Sequence, residues 1–230
     1  MQPQFQMTGQ ATQVVSLQQN KVLRNTYMLL ALSMLPTVAG ALLGVQMQFS
    51  FFAGSPMISF LVFMGVAFAF MWGIERTKES ATGVFLLLGF TFFMGLMLSR
   101  ILQVALGFSN GSSLIATAAG GTGAIFFTLA GVATVTKKDF SFLGKFLLVG
   151  MVVVLLAAVA NIFFQIPALS LTISAVAVLI FSAYILYDIS RIVNGGETNY
   201  ISATLAVYLD VYNVFVSLLN LLMAFGGNRD

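Results

Sequence analysis

Seven long apolar runs, interrupted mainly by isolated small or hydroxylated side chains, divide the chain at about 27–46, 52–74, 82–106, 113–135, 146–164, 168–193 and 203–224. About 20 apolar residues carry a helix across ~30 Å of hydrocarbon at 1.5 Å per residue, and each run is of that order. None shows the ~10-residue alternation of a membrane β-strand. The pattern predicts an all-α membrane protein, a seven-helix transmembrane bundle over 21–226. Residues 1–20, with seven Gln and no charge, read as a mobile tail, and 227–230 as a short C-terminal one. No basic segment leads into a short apolar stretch at the start, so no cleavable signal peptide is expected.

The polar positions between the runs set an orientation. Lys21 and Arg24 precede the first run, Arg76 and Lys78 follow the second, and Lys137, Lys138 and Lys145 follow the fourth. Arg191 closes the sixth. If the helices alternate in direction, all eight lie on one side, while the connections near 46–51, 107–112 and 165–167 carry no charge. The positive-inside rule then places the N-terminus in the cytoplasm and, after seven crossings, the C-terminus outside.

Composition narrows the chemistry. Soluble domains are about a quarter charged; this chain is 7% charged, and its net charge of +3 is too small and scattered for nucleic acid. It has no Cys and no His, which excludes disulfides, thiolate metal sites, Ser-His nucleophiles and an imidazole pH switch. Proton or cation chemistry must run through seven acidic residues. Gly40 and Gly44 form a GxxxG on helix 1, and helix 4 carries Gly120, Gly121, Gly123 and Gly131. Both patterns point to close helix packing, with a local break at 120–123 as the alternative for helix 4. No internal repeat suggests an inverted-repeat transporter.

Ionisable residues inside the runs are the candidates, because a charge in hydrocarbon is costly. They are Arg100 in helix 3, Asp188 near the end of helix 6 and Asp210 within helix 7. Asn213, Ser217 and Asn220 follow Asp210 at i+3, i+7 and i+10, so all four share one helix face. Such a stripe faces the bundle interior, either as interhelical hydrogen-bond glue or as the wall of a polar path. Helices 6 and 7 are consecutive and antiparallel, and Gly195-Gly196 is a plausible stop between them. Asp188 and Asp210 then lie at equal depth, about two turns above the cytoplasmic end. Two carboxylates within ~4–6 Å cannot both ionise cheaply; they share a proton or attract a hard cation such as Ca²⁺. Such a pair would sense pH without His. The alternative is that Asp188 pairs with Arg191 one turn away. Arg100 either snorkels to the outer interface or guards the mouth of a polar cavity. Arg76 either marks topology or pairs with the aspartates when the bundle closes.

Several stretches carry a resemblance: Lys21-Val22-Leu23-Arg24-Asn25-Thr26-Tyr27, Lys138-Asp139-Phe140-Ser141-Phe142-Leu143-Gly144 and Tyr184-Ile185-Leu186-Tyr187-Asp188. They continue with Gly195-Gly196-Glu197-Thr198-Asn199-Tyr200 and Tyr208-Leu209-Asp210-Val211-Tyr212-Asn213. Together they resemble the Bax inhibitor family, over about residues 20 to 225, and most closely its bacterial inner-membrane branch. The resemblance implies a pH-sensitive Ca²⁺ leak in which Asp188 and Asp210 form the sensing pair and Arg76 latches the closed state. For the bacterial branch it implies instead binding to the membrane protease FtsH and restraint of its activity. Helix 2 has no acidic residue inside it, only Glu75 at its end, where conducting members would benefit from one. An intramembrane aspartyl protease also places Tyr-Asp on one helix and Asp on the next. It needs Gly-x-Gly-Asp at the second position, and Val207-Tyr208-Leu209-Asp210 stands there, so no enzyme is expected. The main expectation is a calcium or cation leak gated by the aspartate pair, with FtsH modulation as the alternative. Ca²⁺ enters as a transported ion held in passing by Asp188 and Asp210, with no bound cofactor. The expected partners are membrane lipids, Ca²⁺ and FtsH.

Overall fold

The computed structural model describes residues 3–49 and 56–227, with side chains from Gln18 onward. Within them the chain forms seven helices and short turns: α1 Pro3–Gln46, α2 Pro56–Thr77, α3 Ala81–Leu106, α4 Gly111–Thr136, α5 Leu143–Phe164, α6 Pro167–Val193 and α7 Tyr200–Gly226. No strand occurs among the described residues. Each helix contains a stretch long and apolar enough to cross a bilayer; in α1 that stretch is Gln18–Gln46.

The first helix departs from expectation. The Gln-rich segment read as a mobile tail is helical from Pro3 and continuous with the membrane-length part. Gln, Met and Ala are good helix formers, and adding residues to an existing helix avoids the cost of nucleation. The proposed start of helix 2 at 52–55 and the C-terminal residues 228–230 lie outside the described residues.

Packing is unequal around the bundle. α1 lies along α3 with the backbones in close approach. A Cβ added at Gly40 would run into the carbonyl oxygen of Phe92, and one at Gly95 into that of Thr37. Gly44 is pressed against Ser99 in the same way. α7 packs on α1, α3, α4 and α6 and supplies Val207, Tyr208, Val214 and Leu219 to the fully buried core, beside Leu87 and Phe90 of α3 and Ile185 and Ile189 of α6. The Tyr208 hydroxyl meets Thr37 Oγ1 at 2.9 Å, tying α7 to α1. α5 lies at the edge against α6, with Leu147 its one buried residue.

Two readings of helix 4 need correction. α4 runs unbroken through 120–123. Three of its four glycines are not packing positions either: a Cβ at Gly120, Gly123 or Gly131 would meet nothing within 4 Å among the described residues, whereas one at Gly121 would reach Leu218 of α7 at 3.5 Å, ordinary contact distance.

Candidate functional site

The turn between α6 and α7 sets the register of the two aspartates. Gly195 takes a left-handed φ of 78°, and Gly196 N–H donates to Arg191 O at 2.7 Å while Gly195 N–H donates to Ile192 O at 3.2 Å. This paired bonding ends the helix where a side chain would be strained. Asn199 then caps α7, its Oδ1 accepting from the N–H groups of Ile201 and Ser202 at 2.9 and 3.1 Å. Its amide nitrogen donates to Lys78 O and to Glu79 Oε1, both at 3.0 Å, fastening the turn to the α2–α3 connection.

With both helix ends fixed, the carboxyl groups of Asp188 and Asp210 meet across the α6–α7 interface, close enough for a side-chain hydrogen bond. Asp210 is only 5% exposed, and its Oδ2 has no hydrogen-bond partner. A buried polar atom left unpaired is costly, so most find a partner. The Asp188 side chain is 12% exposed and has a second neighbour, Arg191, with Nη1 at 3.9 Å. The guanidinium of Arg191 also lies 3.9 Å from Glu197 Oε2 and over the Tyr187 ring, 5.6 Å from its centre. Asp188 therefore has both neighbours that the sequence set as alternatives, Asp210 on one side and Arg191 on the other.

The other candidates are dispersed. Arg76 is exposed, and its guanidinium stands over Trp72, 5.1 Å from the ring centre; the cation that reaches Asp188 is Arg191. Its neighbour Glu75 pairs with Lys78 and accepts from Ser202 Oγ at 2.9 Å. Arg100 is exposed on α3 and does not line the interior stripe. Asn213 donates to Leu209 O of its own helix at 2.8 Å, Ser217 is buried, and Asn220 donates to Ser174 Oγ of α6 at 3.3 Å. No cluster of three or more metal-ligating acidic side chains occurs among the described residues. Ca²⁺ takes six to eight oxygens, more than the two carboxyls supply.

Sequence reasoning missed the bridging position of Arg191 between Asp188 and Glu197; the i+3 spacing signalled half of it. It also missed Ser190, whose hydroxyl donates to Lys138 O at 2.9 Å and accepts from Phe140 N–H at 3.1 Å. Asn194 adds a bond to the same Lys138 carbonyl at 3.2 Å. These bonds hold the α4–α5 turn to the end of α6, and a buried serine on an apolar helix gave no signal for them.

Residues 19–227 match the family model described as Inhibitor of apoptosis-promoting Bax1. The Escherichia coli K12 protein named Modulator of FtsH protease YccA is 44% identical over 203 residues, covering 88% of this chain and 90% of its own length. In a second Escherichia coli strain the matching protein is named Inner membrane protein YccA. An uncharacterized protein of Neisseria meningitidis serogroup A is 42% identical over 210 residues, 90% of this chain and 92% of its own.

Proposed function

The chain belongs to the Bax inhibitor family and is a multi-pass protein of the inner membrane; from that premise we propose that it modulates the membrane protease FtsH by binding it. The supporting observation is the 44% identity, along nearly the whole of both chains, to the Escherichia coli protein so named. The helix that begins at Pro3, well before the membrane-length stretch starting at Gln18, offers a handle on the basic side of the membrane. By the positive-inside rule that side is the cytoplasm. The test is co-purification of the full chain with FtsH from membranes, together with the degradation rate of an FtsH membrane substrate. The chain should be captured with FtsH and should slow degradation. Capture that fails, with an unchanged rate, removes the reading.

A second reading rests on the α6–α7 carboxyl pair: a pH-sensitive cation leak gated by Asp188 and Asp210. What favours it is the juxtaposition of two acidic groups, one of them nearly inaccessible to water and holding an unpartnered oxygen. Like charges so close cannot both persist cheaply, and a pH change that ionised both would force the pair apart or draw in a cation. Arg191 would then hold Asp188 while Asp210 moves, and Arg76 would join as a latch only after leaving Trp72. The check is Ca²⁺ entry into liposomes containing the purified protein, followed across pH beside Asp210→Asn. A protein-dependent flux whose pH profile shifts in the variant is expected. No flux at any pH, with the protein shown folded, ends this reading and leaves the protease reading standing.

A further inference from the structure

A cavity of about 940 Å³ lies between α1 and α4, with α3 and α7 behind it. That volume is at the upper end for sites that hold small molecules. Its rim residues Val38, Leu42 and Phe127 are all more than half exposed at membrane depth, so it opens toward lipid. Gly123 and Gly131 line the α4 wall, and a Cβ at either would meet nothing. With no side chain at either position, the α4 wall takes up none of the volume there.

Most hydroxyls at the lining are already satisfied. Thr37 and Tyr208 bond to each other, and Thr122 and Thr134 donate to carbonyls of their own helix at 2.8 and 2.7 Å. The exception is the Tyr27 hydroxyl, which is buried with no hydrogen-bond partner. Tyr27 stands at the basic end of the cavity, where its ring meets Phe126 of α4 edge-on at 6.1 Å. Just beyond that end, α1 carries Lys21 and Arg24, and the C-terminus of α4 leads into Lys137 and Lys138. All four are exposed, and none takes part in an ion pair among the described residues.

Going inward, the order is four positive charges, then one unpaired hydroxyl roughly 4–5 Å deeper than Arg24, then a long carbon-lined channel. A glycerophospholipid presents the matching order of phosphate, ester oxygens and acyl chains. From Tyr27 to Leu42 the α1 wall runs roughly 22 Å, enough to house a chain that must cross a leaflet of about 15 Å. Basic pockets between transmembrane helices favour anionic headgroups. A partner helix laid in the groove would cover the apolar rim but leave the four cations and Tyr27 unanswered.

We propose that the α1–α4 cavity binds an anionic glycerophospholipid of the bilayer, with Lys21, Arg24, Lys137 and Lys138 around its phosphate, Tyr27 donating to an ester oxygen and acyl chain lying along Gly123 and Gly131.

The test uses the full chain reconstituted in bilayers of equimolar phosphatidylglycerol and phosphatidylcholine, then extracted and weighed by native mass spectrometry. The wild type should retain phosphatidylglycerol over phosphatidylcholine by about tenfold or more. Gly123→Leu with Gly131→Leu, placing two side chains across the acyl path, should sharply reduce retention. Changing Lys21, Arg24, Lys137 and Lys138 to Ala, all at exposed positions, should keep a bound lipid but erase the headgroup preference. If the double-leucine variant does not fold, the charge variant and Tyr27→Phe decide, the latter by weakened retention at unchanged melting temperature. The proposal is overturned by retention without preference in the wild type, by an unaltered preference in the charge variant, or by undiminished retention in a folded double-leucine variant. A lipid-free dimer would overturn it too, by placing a second copy of the chain in the groove.

Discussion

The α1–α3 seam and the open face of α4 are both rich in glycine, and they use it in opposite ways. Gly40 and Gly95 sit where the two backbones touch, each under a carbonyl of the facing helix, and Gly44 abuts Ser99. On α4, Gly120, Gly123 and Gly131 face empty space. The difference lies in the partner. α3 presents Gly95 and Ser99 one turn apart opposite the small residues of α1, whereas among the described residues no helix lies over the Gly120, Gly123 and Gly131 face of α4. In a bilayer there is no hydrophobic drive between helices, so small residues permit close approach without causing it. At one place the permission yields a tight seam, and at the other it leaves a cavity.

Substitution at the glycines gives the largest contrast. Gly95→Leu should destabilise the protein by about 3 kcal/mol or more, since the side chain would have to displace the α1 backbone. Gly123→Leu should change stability by no more than about 0.5 kcal/mol in detergent, as for a surface site. Unfolding midpoints on titration with a denaturing detergent measure both, and similar losses would erase the contrast. Next come the tyrosines. Tyr208→Phe removes the bond to Thr37 in the tight half and should cost about 0.5–1.5 kcal/mol. Tyr27→Phe removes a hydroxyl with no partner, so in lipid-free detergent it should be neutral or stabilising in the same assay.

A smaller effect of opposite sign is expected from alanine. Gly131→Ala should raise stability by about 0.5–1 kcal/mol through helix propensity alone, whereas Gly40→Ala should lower it; a gain at both would mean the seam is looser than described. The smallest effect concerns the turn that ends α4. Ser141 donates to Asp139 from both its hydroxyl and its N–H, holding that carboxyl below the usual carboxylate range. A depressed folded-state value contributes stability that is present above the ordinary carboxylate range and is lost as pH falls through the lowered value. Melting temperatures of wild type and Asp139→Asn should therefore differ slightly at neutral pH and converge in acid. A gap that widens in acid would contradict this.

The acidic pair shows how far the one-dimensional pattern reaches. The antiparallel run of two consecutive helices with a stop at Gly195-Gly196 placed Asp188 and Asp210 at one depth, and their carboxyls meet. It said nothing of rotation about the helix axes, which turns Arg76 over Trp72 and leaves Arg100 exposed. The GxxxG of α1 was readable as a packing motif, but its counterpart on α3 was not, because a lone Gly95 among apolar residues has no pattern of its own. Nor was the helical character of residues 3–17 readable from hydropathy, since it comes from propagation out of an apolar helix.

Crossing the membrane is a property each segment has alone, fixed by its length and by the cost of unpaired backbone in hydrocarbon. For that reason the sequence by itself determined seven helices, their alternation and the basic end of the bundle. Which faces touch depends on segments far apart in the chain, with α1 beside α3 and α7, and α4 beside α6 and α7. Those choices are made by shape matching between surfaces about equally apolar. Only the tertiary structure decided that the glycines of α1 make a seam, that those of α4 make a cavity, and that one tyrosine hydroxyl waits at its basic end.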